Sequence, residues 1–181
     1  MRLKIIFWAC LGCCFISCTT TSNNPDERLS EAQKKGRALT PFLTENYTQG
    51  DSVYLITETG IREGFVVEEN EYSEIRIAEE LEGGKSKPID ASDVLDAHLS
   101  TSFRSQSTRF CVVIDVAQHD DNLYVHPNVY VNEGFTGCHA TLTETDGRLT
   151  IQTEDGKSCV LKKGVGVVSL STKDGKMWTL K

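Results

Sequence analysis

The chain has 181 residues, 39% of them hydrophobic and 25% charged, and its 26 acidic and 19 basic side chains leave a formal net charge of −7. That length suits one ordinary domain or two small ones, and the acidic balance argues against nucleic acid as a partner because phosphate backbones would be repelled. The charge is concentrated: residues 51–100 hold thirteen acidic and four basic side chains, a net of −9, whereas 18–50 and 101–181 each balance. An acidic segment thus ends near residue 100, where a compositional boundary is expected.

Residues 1–18 read MRLKIIFWACLGCCFISC. Arg2 and Lys4 give a positive start, residues 5–16 are apolar or small, and the chain turns polar directly after Cys18. These are the marks of a secretory signal. The apolar run is shorter than the roughly 20 residues that span a bilayer as a helix. Phe15-Ile16-Ser17-Cys18 resembles the lipobox of bacterial lipoproteins, which usually reads Leu-small-small-Cys. Cys10, Cys13 and Cys14 are rival positions, but only Cys18 is followed at once by a polar tether. The resemblance implies a signal peptide at 1–17, acyl chains on Cys18 and anchoring in the cell envelope. Thr19 stands where Asp commonly retains such lipoproteins at the inner membrane, which favours the outer one in a source with two membranes. Each buried methylene contributes about 0.8 kcal/mol, so several acyl chains would hold the body on a membrane.

Residues 18–44 read as lipidated Cys, tether and short helix. Thr19 to Pro25 is rich in Thr, Ser and Asn, and 26–39 (DERLSEAQKKGRAL) has helix formers with acids first and bases last. From Gly50 the period becomes that of strands: 52–58, 61–69 and, after a turn at Asn70, 73–79. A Gly83-Gly84 loop, a short strand and a final strand at LDAHL come next. This order over residues 45–100 resembles the small SH3-like or Sm-like barrels, which implies a fold but no ligand. The aromatic groove of peptide-binding SH3 domains has no evident counterpart, since only Tyr54, Phe65 and Tyr72 are available.

After a Ser- and Thr-rich link (100–108), residues 101–181 read as a second antiparallel β-module. Strands at 109–118 and 123–132 are joined by 119–122, and Pro127 marks the second as an edge strand. Asp-Gly occurs at 146–147, 155–156 and 174–175, a strong signal for two-residue hairpin turns. Turns of that length predict one row of Leu142, Ile151 and Val160, with Cys138 on the same face and Cys159 on the other. They also set Trp178 and Leu180 opposite Ser169 and Ser171. The expected fold is therefore all-β: an SH3-like barrel, a second antiparallel β-module and a short N-terminal helix.

Cys111, Cys138 and Cys159 remain in the mature body, an odd number in an oxidising compartment. One disulfide and one free thiol are expected, with Cys111 favoured as a partner of either other Cys. Their spacing matches no zinc motif, and no cofactor is expected. Pairing the strands around 119–122 sets Asp115 opposite His126, the supporting half of a nucleophile–base site or a satisfied polar pair on a sheet. His119, Asp120, Asp121, His126 and His139 could be assembled as metal ligands, but the first three belong to a turn that suits them for local hydrogen bonding. The glutamates Glu68, Glu69, Glu71, Glu74, Glu79, Glu80 and Glu82 read as a solvated rim or a contact face for a basic protein partner. The leading expectation is a membrane-anchored, non-catalytic binding or scaffolding protein. The alternatives are a small hydrolase or metal-dependent enzyme using Asp115 and His126, and a structural subunit of an envelope assembly.

Overall fold

A computed structural model describes residues 30–76, 80–81, 85–86, 94–119, 122–132 and 139–180. Cys18, the tether, the Gly83-Gly84 loop, Asp120, Asp121 and Cys138 lie outside the described residues.

Helix α1 is Glu31–Leu39, inside the expected stretch. It starts there because Ser30 is extended and its Oγ accepts the Gln33 amide at 3.1 Å, satisfying an otherwise orphaned donor. Glu31 in the first turn and Arg37 in the last suit the helix dipole. Ala32, Gln33, Gly36 and Leu39 form the buried face. Gly36 has a packing role, since a Cβ there would sit 2.5 Å from the Ala97 methyl carbon. Two single 3₁₀ turns, Thr40–Phe42 and Thr44–Asn46, lead from α1 into the sheet.

The strands are β1 (Ser52–Thr57), β2 (Arg62–Arg76), β3 (Glu80–Leu81), β4 (Lys85–Ser86), β5 (Val94–Arg104), β6 (Arg109–His119) and β7 (Asn122–Val131). They continue with β8 (Ala140–Thr145), β9 (Arg148–Thr153), β10 (Ser158–Lys162), β11 (Gly166–Ser171) and β12 (Met177–Thr179). Ten of them form a single antiparallel sheet in the order β7-β6-β5-β2-β1-β12-β11-β10-β9-β8, while β3 and β4 pair with each other. The path is nearly up-and-down: successive strands of the sheet are neighbours except β7 and β8, and the last strand returns to pair with the first. The two edges, β7 and β8, lie beside each other, so the sheet is almost a closed barrel.

The sheet draws strands from both expected stretches. β5 runs through residue 100 and pairs with β6, and β12 covers the open side of β1. Both contacts hide strand edges that residues 45–100 alone would expose. Two expected breaks are also absent. β2 is continuous through Asn70, and β5 absorbs the Ser/Thr link as far as Arg104. Asn70 makes no turn because its side chain is used elsewhere: Nδ2 donates to the Thr44 and Tyr47 carbonyls at 2.8 and 2.7 Å, and Oδ1 accepts from Thr101 at 2.6 Å.

Alternation fills the interior. Phe65 and Val67 of β2, Leu99 and Phe103 of β5, Phe110, Val112 and Ile114 of β6, and Trp178 of β12 are all buried in one cluster. Phe103 and Phe110 stack with centroids 4.5 Å apart, and Trp178 meets Phe65 edge-on at 6.3 Å. Tyr47 closes over β11, accepting the Val167 amide on its hydroxyl at 2.6 Å. This requires Gly166, where φ is +86° and a Cβ would lie 2.1 Å from the Tyr47 oxygen. Pro127 does lie on an edge strand, β7.

The three Asp-Gly turns are not alike. Asp146-Gly147 is a two-residue turn with φ of 49° and 70°, and Thr145 pairs with Arg148. The other two sit in three-residue loops: Thr153 donates its amide to the Lys157 carbonyl and Thr172 to that of Lys176, each at 2.9 Å. In both, the Thr hydroxyl donates to the loop Asp and the Gly has positive φ, 92° at Gly156 and 85° at Gly175. One extra loop residue reverses the facing of the strand after it. Leu142 still opposes Ile151, but Cys159, not Val160, opposes Ile151 on the next strand. Likewise Leu170, not Ser169 or Ser171, opposes Trp178. The change of facing places Cys159 in the core, and Trp178 is buried there as a packing residue.

Candidate functional site

One mouth of the barrel is a concavity of about 590 Å³ where the β1–β2, β5–β6 and β11–β12 turns meet. Ile61, Arg62, Glu63, Ser107, Lys176 and Met177 are among its lining residues. Glu63 faces inward because it precedes Phe65 by two positions in β2, and period two keeps both on one face. Its carboxylate collects three donors from the rim. Oε1 accepts from the Ser105 hydroxyl and, at 2.7 Å, from that of Ser107; Oε2 accepts from Trp178 Nε1 at 2.8 Å. Burial pushes the Glu63 pKa up, but these three hydrogen bonds and the charge of Lys176 outweigh it, so the group titrates below its ordinary range.

The surroundings are mixed. Lys176 Nζ lies 4.2 Å from the centroid of the Trp178 ring. Arg62, on the outer face, stands 4.0 Å over the Tyr54 ring. Gly64 makes room for that ring, since a Cβ there would come within 3.0 Å of it. Ile61 projects at the rim with 65% of its surface exposed. The mouth thus combines a carboxylate held by three donors, cations stacked on aromatic rings and an exposed apolar side chain. That combination can hold a ligand or a partner segment.

The opposite end of β2 carries a second inward carboxylate, Glu74, which fastens α1. Its oxygens accept from Gln33 Nε2, from Arg37 Nε at 2.9 Å and from the Tyr72 hydroxyl at 2.6 Å. Desolvation opposes ionisation of Glu74, yet its hydrogen bonds to Arg37 and Tyr72 lower the pKa overall. The depression beside it is open, and its polar groups are largely engaged with one another, Thr40 with Glu45 and Asn70 with Thr101. We assign this end a structural role.

Of the residues expected from sequence, Asp115 and His126 do oppose each other across β6 and β7. The hydrogen bond of Asp115, however, goes the other way, to His98 Nδ1 at 2.6 Å on β5. His98 is the residue that sequence reasoning missed, and the pairing of β5 with β6 that reveals it depends on a connection whose register no motif announced. His119 ends β6 and His139 precedes β8. Among the described residues, no group of three or more His, Cys, Asp or Glu is placed so that it could hold a metal ion.

The glutamates are divided between tasks. Glu68 pairs with Arg104 and Arg109 at 2.9 and 3.0 Å, Glu74 is held under α1, and Glu69 and Glu71 are exposed. Glu79 and Glu82 and the side chain of Glu80 lie outside the described residues. Cys111 and Cys159 are both free thiols, so the disulfide between these two is not formed. Cys159 points into the core opposite Ile151, whereas Cys111 opposes Ser102 and Tyr130 on the other side of its sheet. Burial pushes Cys111 up to about 11 and Cys159 up to about 12. No described helix is long and apolar enough to cross a membrane. No protein family, curated protein or solved structure matches the chain.

Proposed function

We propose that this chain is a bacterial cell-envelope lipoprotein, anchored by acyl chains on Cys18, whose β-body is a non-catalytic binding or scaffolding protein. The anchor rests on the positive start, the short apolar run and the Phe15-Ile16-Ser17-Cys18 sequence. The binding role rests on the barrel mouth, a concavity lined by the inward Glu63 carboxylate, by Lys176 and Arg62 and by the exposed Ile61. The acidic segment contributes less than its composition suggests, because Glu68 and Glu74 are neutralised within the fold. Thr19 favours the outer membrane as the site of anchoring.

Two measurements on the full chain test this reading. Metabolic labelling with an alkynyl fatty acid labels wild type and not Cys18→Ala if the anchor is right; label retained by the variant contradicts it. In-cell cross-linking with mass spectrometry then compares wild type with Ile61→Asp. A partner recovered with wild type and lost with Ile61→Asp supports the mouth as the contact surface. Equal recovery contradicts it.

A further inference from the structure

Three neighbouring strands carry an imidazole, a carboxylate and an imidazole in one row. His98 of β5 is directly opposite Asp115 of β6, and Asp115 is directly opposite His126 of β7. Opposed residues in an antiparallel pair share a face, with Cβ atoms about 4.5–5.5 Å apart. The alternate residues Ala97, Leu99, Ile114 and Val116 are buried, so the row stands on the outside of the barrel. It contains two of the four histidines of the chain. The rows on either side of it on this face, Asp96-Ala117-Tyr124 and Ser100-Val113-Asn128, have none.

The central carboxylate already holds one imidazole by its Nδ1, at 2.6 Å. The other, exposed His126, lies parallel to the Tyr124 ring with centroids 6.2 Å apart, which is why the three donors do not converge as they stand. Exposed side chains change rotamer within nanoseconds, so His126 can turn from Tyr124 rapidly. The span is also right. Strands two apart are separated by about 10 Å, and two imidazoles reaching inward can place nitrogens about 2.0–2.1 Å from one metal above the central strand.

We propose that His98, Asp115 and His126 form a site for a divalent transition metal on the outer face of β5–β6–β7. The metal enters between His98 Nδ1 and Asp115 Oδ1, and His126 turns from Tyr124 to supply the third ligand. The Nδ1 proton moves to Nε2 when His98 is neutral and passes to solvent when His98 is an imidazolium. Two imidazoles with one carboxylate suit Zn²⁺, Cu²⁺ or Ni²⁺, whereas Ca²⁺ and Mg²⁺ prefer oxygen donors throughout. A fourth position stays open to water. This site is separate from the barrel mouth and does not depend on its being a binding surface.

The full chain, purified with its anchor in detergent and stripped of metal, is titrated with ZnCl₂ and separately with NiCl₂ by calorimetry. The site predicts about one ion per chain, with His98→Ala, Asp115→Asn and His126→Ala each weakening binding roughly tenfold or more and His139→Ala leaving it unchanged. Circular dichroism of His126→Ala, an exposed position, is expected to match wild type, so that its loss of metal is not a loss of fold. Binding that survives His98→Ala or His126→Ala overturns the proposal, as does binding lost in His139→Ala, or no binding at all. MgCl₂ binding as tightly as ZnCl₂ would overturn the donor assignment.

Discussion

Trp178 Nε1 donates to Glu63 Oε2 over 2.8 Å, a bond between residues 115 apart in sequence. It joins the last strand to the second at the barrel mouth, where Ser105 and Ser107 of the β5–β6 turn bond the same carboxylate. One anion therefore ties β2, β12 and the β5–β6 turn together. The shape of the candidate site derives from that knot.

Glu63→Gln is expected to destabilise the protein by about 1.5–3 kcal/mol at neutral pH, since hydrogen bonds to a charged acceptor are lost or weakened. The pH dependence has a definite sign. A carboxyl with a folded pKa below its unfolded value stabilises above the ordinary 4.5, and that stability is lost as pH falls through the folded pKa. Urea unfolding should show a gap between wild type and Glu63→Gln at pH 7 that narrows below pH 4.5. A gap that widens on acidification would contradict the assignment.

Lys157 is almost fully buried and pairs with Asp155 at 2.8 Å in the first three-residue loop. Its hydrogen bond from Lys157, then that from Thr153, lowers the Asp155 pKa to about 2. Asp155→Ala should cost about 1.5–3 kcal/mol at pH 7 by removing the carboxylate that faces the ammonium. The contribution is complete above the ordinary 3.8 and fades as pH falls toward 2. Asp174→Ala is the comparison, because that loop is exposed and its loss should be smaller.

Gly166→Ala combines a positive φ of 86° with a Cβ placed 2.1 Å from the Tyr47 oxygen. We expect a loss of about 2 kcal/mol or more, measured as a lower midpoint in urea. Tyr47→Phe removes the acceptor of the Val167 amide and should cost about 1–3 kcal/mol. In spectrophotometric titration Tyr47 should ionise late: desolvation raises its pKa to about 12, against a smaller lowering by the Val167 bond.

Cys159, with no exposed surface and a thiol pushed up to about 12, should resist iodoacetamide in the native protein. Cys111, up to about 11, should react slowly as well. Peptide mapping before and after denaturation reads both sites. A non-reducing digest yielding a Cys111–Cys159 pair would contradict the placement of these thiols on opposite faces.

The all-β class and the helix at the N-terminal side were legible because period-two alternation and the acids-first, bases-last order of helix formers in 26–39 are local signals. The facing of β10 and β12 was not, since Asp-Gly alone does not count the residues in a loop. The repeated Thr-x-Asp-Gly-Lys of 153–157 and 172–176, against Thr-Asp-Gly-Arg at 145–148, carries that missing information. In the longer form the Thr hydroxyl reaches the Asp two residues on, favouring three loop residues over two. Asp115 opposite His126 was readable from one hairpin, whereas His98 and Glu63 required pairings that join distant segments. Sequence periodicity holds no record of such partners.

The most direct test of a binding mouth is a photo-cross-linking amino acid at Ile61 in the full lipidated chain, irradiated in cells beside the same probe at Val165, an exposed residue outside the mouth lining. A discrete adduct at Ile61, absent at Val165 and reduced when Glu63→Gln is added, is the predicted result. Identical adduct patterns at the two positions, or none at Ile61, would contradict a binding role for the mouth.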